Sequence, residues 1–93
     1  MEVKFSVHAT DTLLSIVSFI ESKWSIKVAD EFIEKAYKTI DSIAIQPYMY
    51  QATILENVRR AVITKQTSVI YKIHPQFIEI LFFWDNRQNP LIK

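Results

Sequence analysis

The chain contains no cysteine and no glycine. Without cysteine, disulfides, thiolate zinc sites and thiol nucleophiles are excluded. Without glycine, the glycine-rich phosphate loops are excluded, both the P-loop and the dinucleotide fingerprint. Only two histidines occur, His8 and His74, and they lie far apart in sequence, so no metal site is expected. No cofactor is expected either. Long apolar runs are missing as well. The longest, ILFFW at 80–84, is far below the roughly 20 residues that span a bilayer. Residues 1–8 carry Glu2 and Lys4 and show no signal-peptide pattern. A cytoplasmic protein with no membrane partner is the expectation. The net charge of +1 is too small to announce nucleic-acid binding by itself.

What is present suits a packed core. Of the 93 residues, 49% are apolar and 13% aromatic, which argues against disorder and for one domain over 1–93. Charge is uneven along the chain. Acids fall mainly in the first two-thirds, whereas residues 58–74 hold Arg59, Arg60, Lys65 and Lys72 with no acid.

Val3, Phe5 and Val7 alternate with Lys4, Ser6 and His8, the two-residue period of a half-buried strand. Thr10 or Asp11 offers an N-cap, and Leu13, Ile16, Val17, Ile20 and Trp24 then recur at helical spacing. Ser25 caps a second helix with Ala29, Phe32, Ile33, Ala36, Ile40 and Ile43 on one face. Its other face places Glu31 before Lys35 and Glu34 before Lys38, pairs that solvate the surface. Pro47 stops this helix near Gln46. The segment 47–57 shows no clear period. Three β-rich runs follow, 58–65, 68–74 and 77–84, with breaks near Gln66-Thr67 and Pro75-Gln76. The order predicts an α+β fold: an N-terminal strand, a two-helix hairpin and a three-stranded antiparallel meander, with both helices on one face of an antiparallel sheet.

Two-residue turns would set the registers by counting. Val62 then faces Tyr71, and Tyr71 faces Ile80. Thr64, Val69 and Phe82 form a second row, and Arg60, Ile73 and Ile78 a third. This face would meet the helices. The opposite face would gather Arg59, Lys65, Lys72 and His74, with Ala61, Ile63, Ile70 and Leu81 between them. Glu79 would sit across from Lys72. Phe77, Leu81 and Phe83 would be exposed on that side. A solvated sheet with scattered cations, a phosphate-binding groove and a self-association surface are all open on these residues.

The run VRRAVITKQTSVIYKIHPQFIEILFFWDNRQNP resembles the C-terminal half of the RelE/ParE toxins of bacterial type II toxin–antitoxin systems. The motifs are Arg59 or Arg60 on the first strand, Val69-Ile70-Tyr71 on the second, Ile78-Glu79-Ile80-Leu81 on the third, and Arg87 with Pro90 at the close. The segment KWSIKVADEF, with Ala29 and Phe32, matches the family around the helix turn. The resemblance covers nearly the whole chain.

It implies a growth-inhibiting, plasmid-stabilising toxin neutralised by a cognate antitoxin. RelE-like members are ribosome-dependent endoribonucleases acting on messenger RNA; ParE-like members inhibit DNA gyrase. The nucleases combine sheet-face cations with a Tyr or His near the C-terminus, because phosphodiester cleavage needs charge stabilisation and proton transfer. Arg59, Lys65, Lys72, His74 and Arg87 are the catalytic candidates. The tail from Trp84 to Pro90 offers no Tyr or His, which points to a ParE-like toxin that acts by binding. The alternatives are a RelE-like nuclease and a non-toxic interaction module, and a homodimer is open. The candidate partner-binding residues are Arg59, Lys65, Phe77, Leu81, Phe83 and Arg87. Among single residues, Tyr71 reads as core, Trp24 as a seal on the inter-helix turn, Arg60 as structural and Trp84 as a closure of the sheet end.

Overall fold

The computed structural model describes residues 1–86. Strand β1 (Glu2–Phe5) leads into helices α1 (Val7–Lys23) and α2 (Ile26–Ile45). Strands β2 (Gln51–Ala52), β3 (Val58–Val62), β4 (Thr67–Ile73) and β5 (Phe77–Asp85) follow. They form one sheet in the order β1-β5-β4-β3-β2. The expected strand, helical hairpin and three-stranded meander are all present. The sheet is mixed rather than wholly antiparallel, because β1 lies parallel to β5. The helical hairpin leads from β1 to β2, which runs the opposite way, and three antiparallel pairings then bring β5 back in the direction of β1.

Helix α1 starts four to five residues earlier than its expected cap. The Ser6 hydroxyl accepts the Ala9 N–H at 2.9 Å and donates to the Leu81 carbonyl at 2.9 Å. Ser6 therefore caps the helix and ties it to β5 in one step. Val7 then falls on the exposed first turn instead of continuing the strand. Helix α2 begins as expected, with the Ser25 hydroxyl accepting the Val28 N–H, and it ends at Ile45 before Pro47. Its inner face buries Ala29, Phe32, Ala36, Ile40 and Ile43.

The β4–β5 hairpin has the counted register: Tyr71 pairs with Ile80, Ile73 with Ile78 and Lys72 with Glu79. The β3–β4 hairpin does not. Val62 pairs with Ser68 and Arg59 with Tyr71, three positions from the counted pairing. Residues 63–66 make a longer connection, closed by bonds from the Ile63 and Thr64 N–H groups to the Thr67 carbonyl. An odd slip turns every β3 side chain over. Val62 is thus 53% exposed on the outer face, while Ala61 and Ile63 join the core.

A β-bulge makes the second change. Ile70 pairs with Phe82 although Tyr71 pairs with Ile80, so Leu81 is the extra residue. Beyond it the alternation reverses. Phe83, expected outside, is 4% exposed and packs with Val69, Tyr71 and Ile80 under the helices. A smaller outer cluster contains Val58 and Ile70, flanked by Leu81, Phe82 and Trp84.

The segment 46–57 is firmly held. The buried Tyr71 hydroxyl donates to the Pro47 carbonyl at 2.6 Å. Burial pushes this phenol far above its ordinary pKa, and the Arg59 charge opposes the shift only in part. Asn57 takes the left-handed conformation, with φ 61°, and its carbonyl accepts the Ile73 N–H at 2.8 Å.

Candidate partner-binding groove and the outer sheet face

The register change redistributes the cations. Arg59 does not line the outer face. Its Nη1 donates to the Tyr48 and Tyr50 carbonyls at 3.1 and 2.7 Å, and the guanidinium lies 5.3 Å from the Tyr48 ring centre. Arg60 takes the outer position. It donates to Ser68 Oγ, Gln51 Oε1 and Asn86 Oδ1 at 3.0, 3.2 and 3.1 Å. The roles expected for these two arginines are exchanged, for the same odd-slip reason.

Lys65 stands exposed in the β3–β4 connection. Lys72 is exposed on the outer face opposite Glu79, but the close side-chain contact to Glu79 is made by His74. Nε2 of His74 lies 2.9 Å from Glu79 Oε1, and the imidazole stacks on Phe77 at 4.3 Å with a 10° tilt. The Lys4 ammonium lies 4.7 Å from the Phe77 ring centre. Phe77 is thus half-buried in a small stack, not open. Leu81 is half-buried on the bulge. Arg87 lies outside the described residues. Arg59, Lys65, Phe77, Leu81 and Phe83 therefore do not converge. Ser68, at the Lys65 end of β4, and His74 are separated by about 20 Å of strand.

The large concave surface lies elsewhere. A groove of about 1140 Å³ runs between α1, the first half of α2, the β3–β4 connection and the end of β5. Phe19, Trp24 and Val28 line it and are exposed, with Ile16, Phe32 and Phe82 among its other apolar walls. Trp24 does not seal the helix turn. It meets Phe19 edge to face at 6.2 Å, and the Lys23 ammonium lies 5.0 Å from the Trp24 ring. Lys23, Lys35, Lys65 and His8 bring positive or protonatable groups to the rim, with Glu31 and Asp85 as the acids. Trp84 also lines the groove, and its buried indole Nε1–H has no hydrogen-bond partner among the described residues.

A groove of this volume, with aromatic walls and a mixed rim, fits an amphipathic peptide segment better than a small molecule. Sequence reasoning placed Lys65 at a binding surface but missed Phe19 and Lys23. The available signal was Phe19 itself, a large aromatic off the buried stripe of α1. Among the described residues, no group of three or more metal-ligating side chains is assembled, and no helix is long and apolar enough to cross a membrane.

No curated protein matches the chain in sequence. In shape it is similar to a chain of the chromosomal ParDE TA system from P. aeruginosa. The TM-score is 0.79 at 14% identity, over 91% of this chain and 95% of that one. At that identity the likeness concerns the fold. The sequence pattern carries the assignment further: the model of the ParE toxin of the type II toxin–antitoxin system parDE matches residues 3–90, and the chain belongs to that family.

Proposed function

We propose that this chain is a ParE-like toxin that inhibits its target by binding it, with DNA gyrase as the target, and that a cognate antitoxin neutralises it. The observation that carries this reading is the dispersal of the cations. A ribonuclease site needs positive groups gathered around a proton-transfer group. Here Arg59 is turned inward to backbone carbonyls, Lys65 sits at the opposite end of the sheet from His74, and His74 is engaged by Glu79 and Phe77. The antitoxin is expected to order a segment in the groove, placing apolar side chains against Phe19 and Trp24 and acids near Lys23, Lys35 and Lys65.

One observation favours the second reading, a RelE-like endoribonuclease acting on messenger RNA at the ribosome. The His74–Glu79 contact is the kind of pair that orients an imidazole for proton transfer, and Lys72 stands across from it. Purified protein added to a gyrase supercoiling reaction separates the two. Binding inhibition predicts a loss of supercoiling that the antitoxin restores, and that is unchanged in His74→Ala.

A further inference from the structure

Two exposed aromatic rings stand together in the groove. Phe19 is 53% exposed and Trp24 60%, and they meet edge to face at 6.2 Å. One ammonium joins them. Lys23 Nζ lies 5.5 Å from the Phe19 ring centre and 5.0 Å from that of Trp24. The end of α1 makes the arrangement, because Phe19 and Lys23 are four residues apart on one helix face and Trp24 is the C-cap.

The rings hold this charge in place without neutralising it. Among the described residues, the Lys23 side chain makes no ion pair and no hydrogen bond. Its ammonium therefore keeps all three N–H donors for something else. Because the rings already orient the side chain, less freedom is lost when a partner engages it. A lysine in the last turn also favours the negative end of the helix, but that role requires no aromatic rings and leaves Phe19 and Trp24 standing in water unexplained.

The surroundings select the occupant. Lys23, Lys35 and Lys65 outnumber Glu31 and Asp85 among the charged residues of the groove, which favours an acidic segment. A nucleic acid fits less well. Lys23 occupies a face of each ring on which a base would stack, and the two acids repel a phosphate chain. A second copy presents the same concave surface, and two grooves cannot fill one another. Membership of a toxin–antitoxin family supplies the remaining partner, an antitoxin segment that orders on binding.

We infer that Lys23, held by Phe19 and Trp24, is the residue with which the groove discriminates its own antitoxin. It takes a carboxylate of the bound segment, while the two rings take the apolar side chain beside that carboxylate. The apolar contact excludes water from the charge pair and strengthens it, so a segment lacking the acid binds less well. The inference deepens, and rests on, the proposal that the antitoxin occupies this groove.

The test uses the purified toxin and its cognate antitoxin. Lys23→Met keeps a long side chain against the rings and removes the charge; Lys23→Glu reverses the charge. Titration calorimetry is expected to show affinity falling about ten-fold for Lys23→Met and about a hundred-fold for Lys23→Glu at low salt. Both losses are expected to shrink at about 1 M salt, where charges are screened within about 3 Å. A charge swap then reads the contact itself. Each acidic residue of the antitoxin is replaced singly by lysine, and one of these antitoxins is expected to bind Lys23→Glu about ten-fold more tightly than the unaltered antitoxin does. A helix-end role for Lys23 cannot produce that recovery. Affinities of Lys23→Met and Lys23→Glu within about two-fold of the parent overturn the inference and leave the antitoxin reading standing. Failure of every charge-reversed antitoxin to recover binding overturns it as well. If the unaltered toxin binds no antitoxin, the reading and the inference fall together.

Discussion

The hydroxyl of Thr12, on the second turn of α1, accepts the backbone N–H of Phe83 at 2.9 Å. Phe83 lies just past the bulge, where β5 departs from its regular ladder against β4. Ser6 satisfies two more β5 backbone groups, accepting nothing from them but donating its N–H to the Ile80 carbonyl and its hydroxyl to that of Leu81. The bulge and the start of α1 are therefore one construction. Together they turn Phe83 into the core and Phe82 toward the outer cluster.

Thr12→Val keeps the shape of this side chain and removes the acceptor. The Phe83 N–H is then left without its partner in a part-buried position, at a cost of about 1–3 kcal/mol. Thr12→Ser retains the acceptor and is expected to stay within about 1 kcal/mol of the parent. Urea unfolding of the three proteins measures the difference as a change in midpoint at constant slope.

Tyr71 makes stability sensitive to alkali. Its phenol is held neutral in the fold by burial, whereas the unfolded chain releases this proton near pH 10. The folded pKa is raised, so the unfolded state binds fewer protons above pH 10 and stability falls as pH rises. The stabilisation is fully present below that pH. Tyr71→Phe removes this component of the alkaline loss and also removes the donor to the Pro47 carbonyl, at about 1–3 kcal/mol near neutrality. Urea midpoints from pH 7 to 11 read both effects.

Asn57 pays a conformational cost that glycine would not. With φ at 61°, Asn57→Ala is expected to destabilise by about 1 kcal/mol, and Asn57→Gly to be neutral within about 0.5 kcal/mol. Thermal unfolding compares the pair. Equal losses in both would assign the position to the Asn57 side chain instead of its backbone.

The His74–Glu79 contact is partly open to solvent, so it contributes at most about 1 kcal/mol. His74→Ala is expected to fold normally, which makes it a clean probe of function. Thermal unfolding alongside the activity assay checks that assumption.

Much of this fold is legible along the chain, for local reasons. Ser25 and Pro47 mark the ends of α2 because capping and ring geometry act on neighbours. The Tyr71–Ile80 pairing follows from the tight Pro75-Gln76 turn. What sequence hides is non-local. Nothing in Val3 or Phe5 shows that β1 lies parallel beside β5. The run 80–84 is apolar at every position, so a bulge at Leu81 leaves no break in pattern. The Thr64-Lys65-Gln66 connection has no compulsory turn type, and the β3 register slipped there. The site inherits those errors. Exposure of Arg59 and Phe83 depended on a parity that the slip and the bulge reversed, whereas Lys65 lies in a connection and Lys72 on the stretch of β4 whose pairing with β5 kept the counted register.

A toxin that acts by holding its target, as proposed, cuts no RNA. The most direct measurement is the mapping of transcript ends on translating ribosomes after induction, for the unaltered protein and His74→Ala. Growth arrest without new codon-phased ends, equal in the two proteins, is the predicted result. Codon-phased cleavage that disappears in His74→Ala would contradict it.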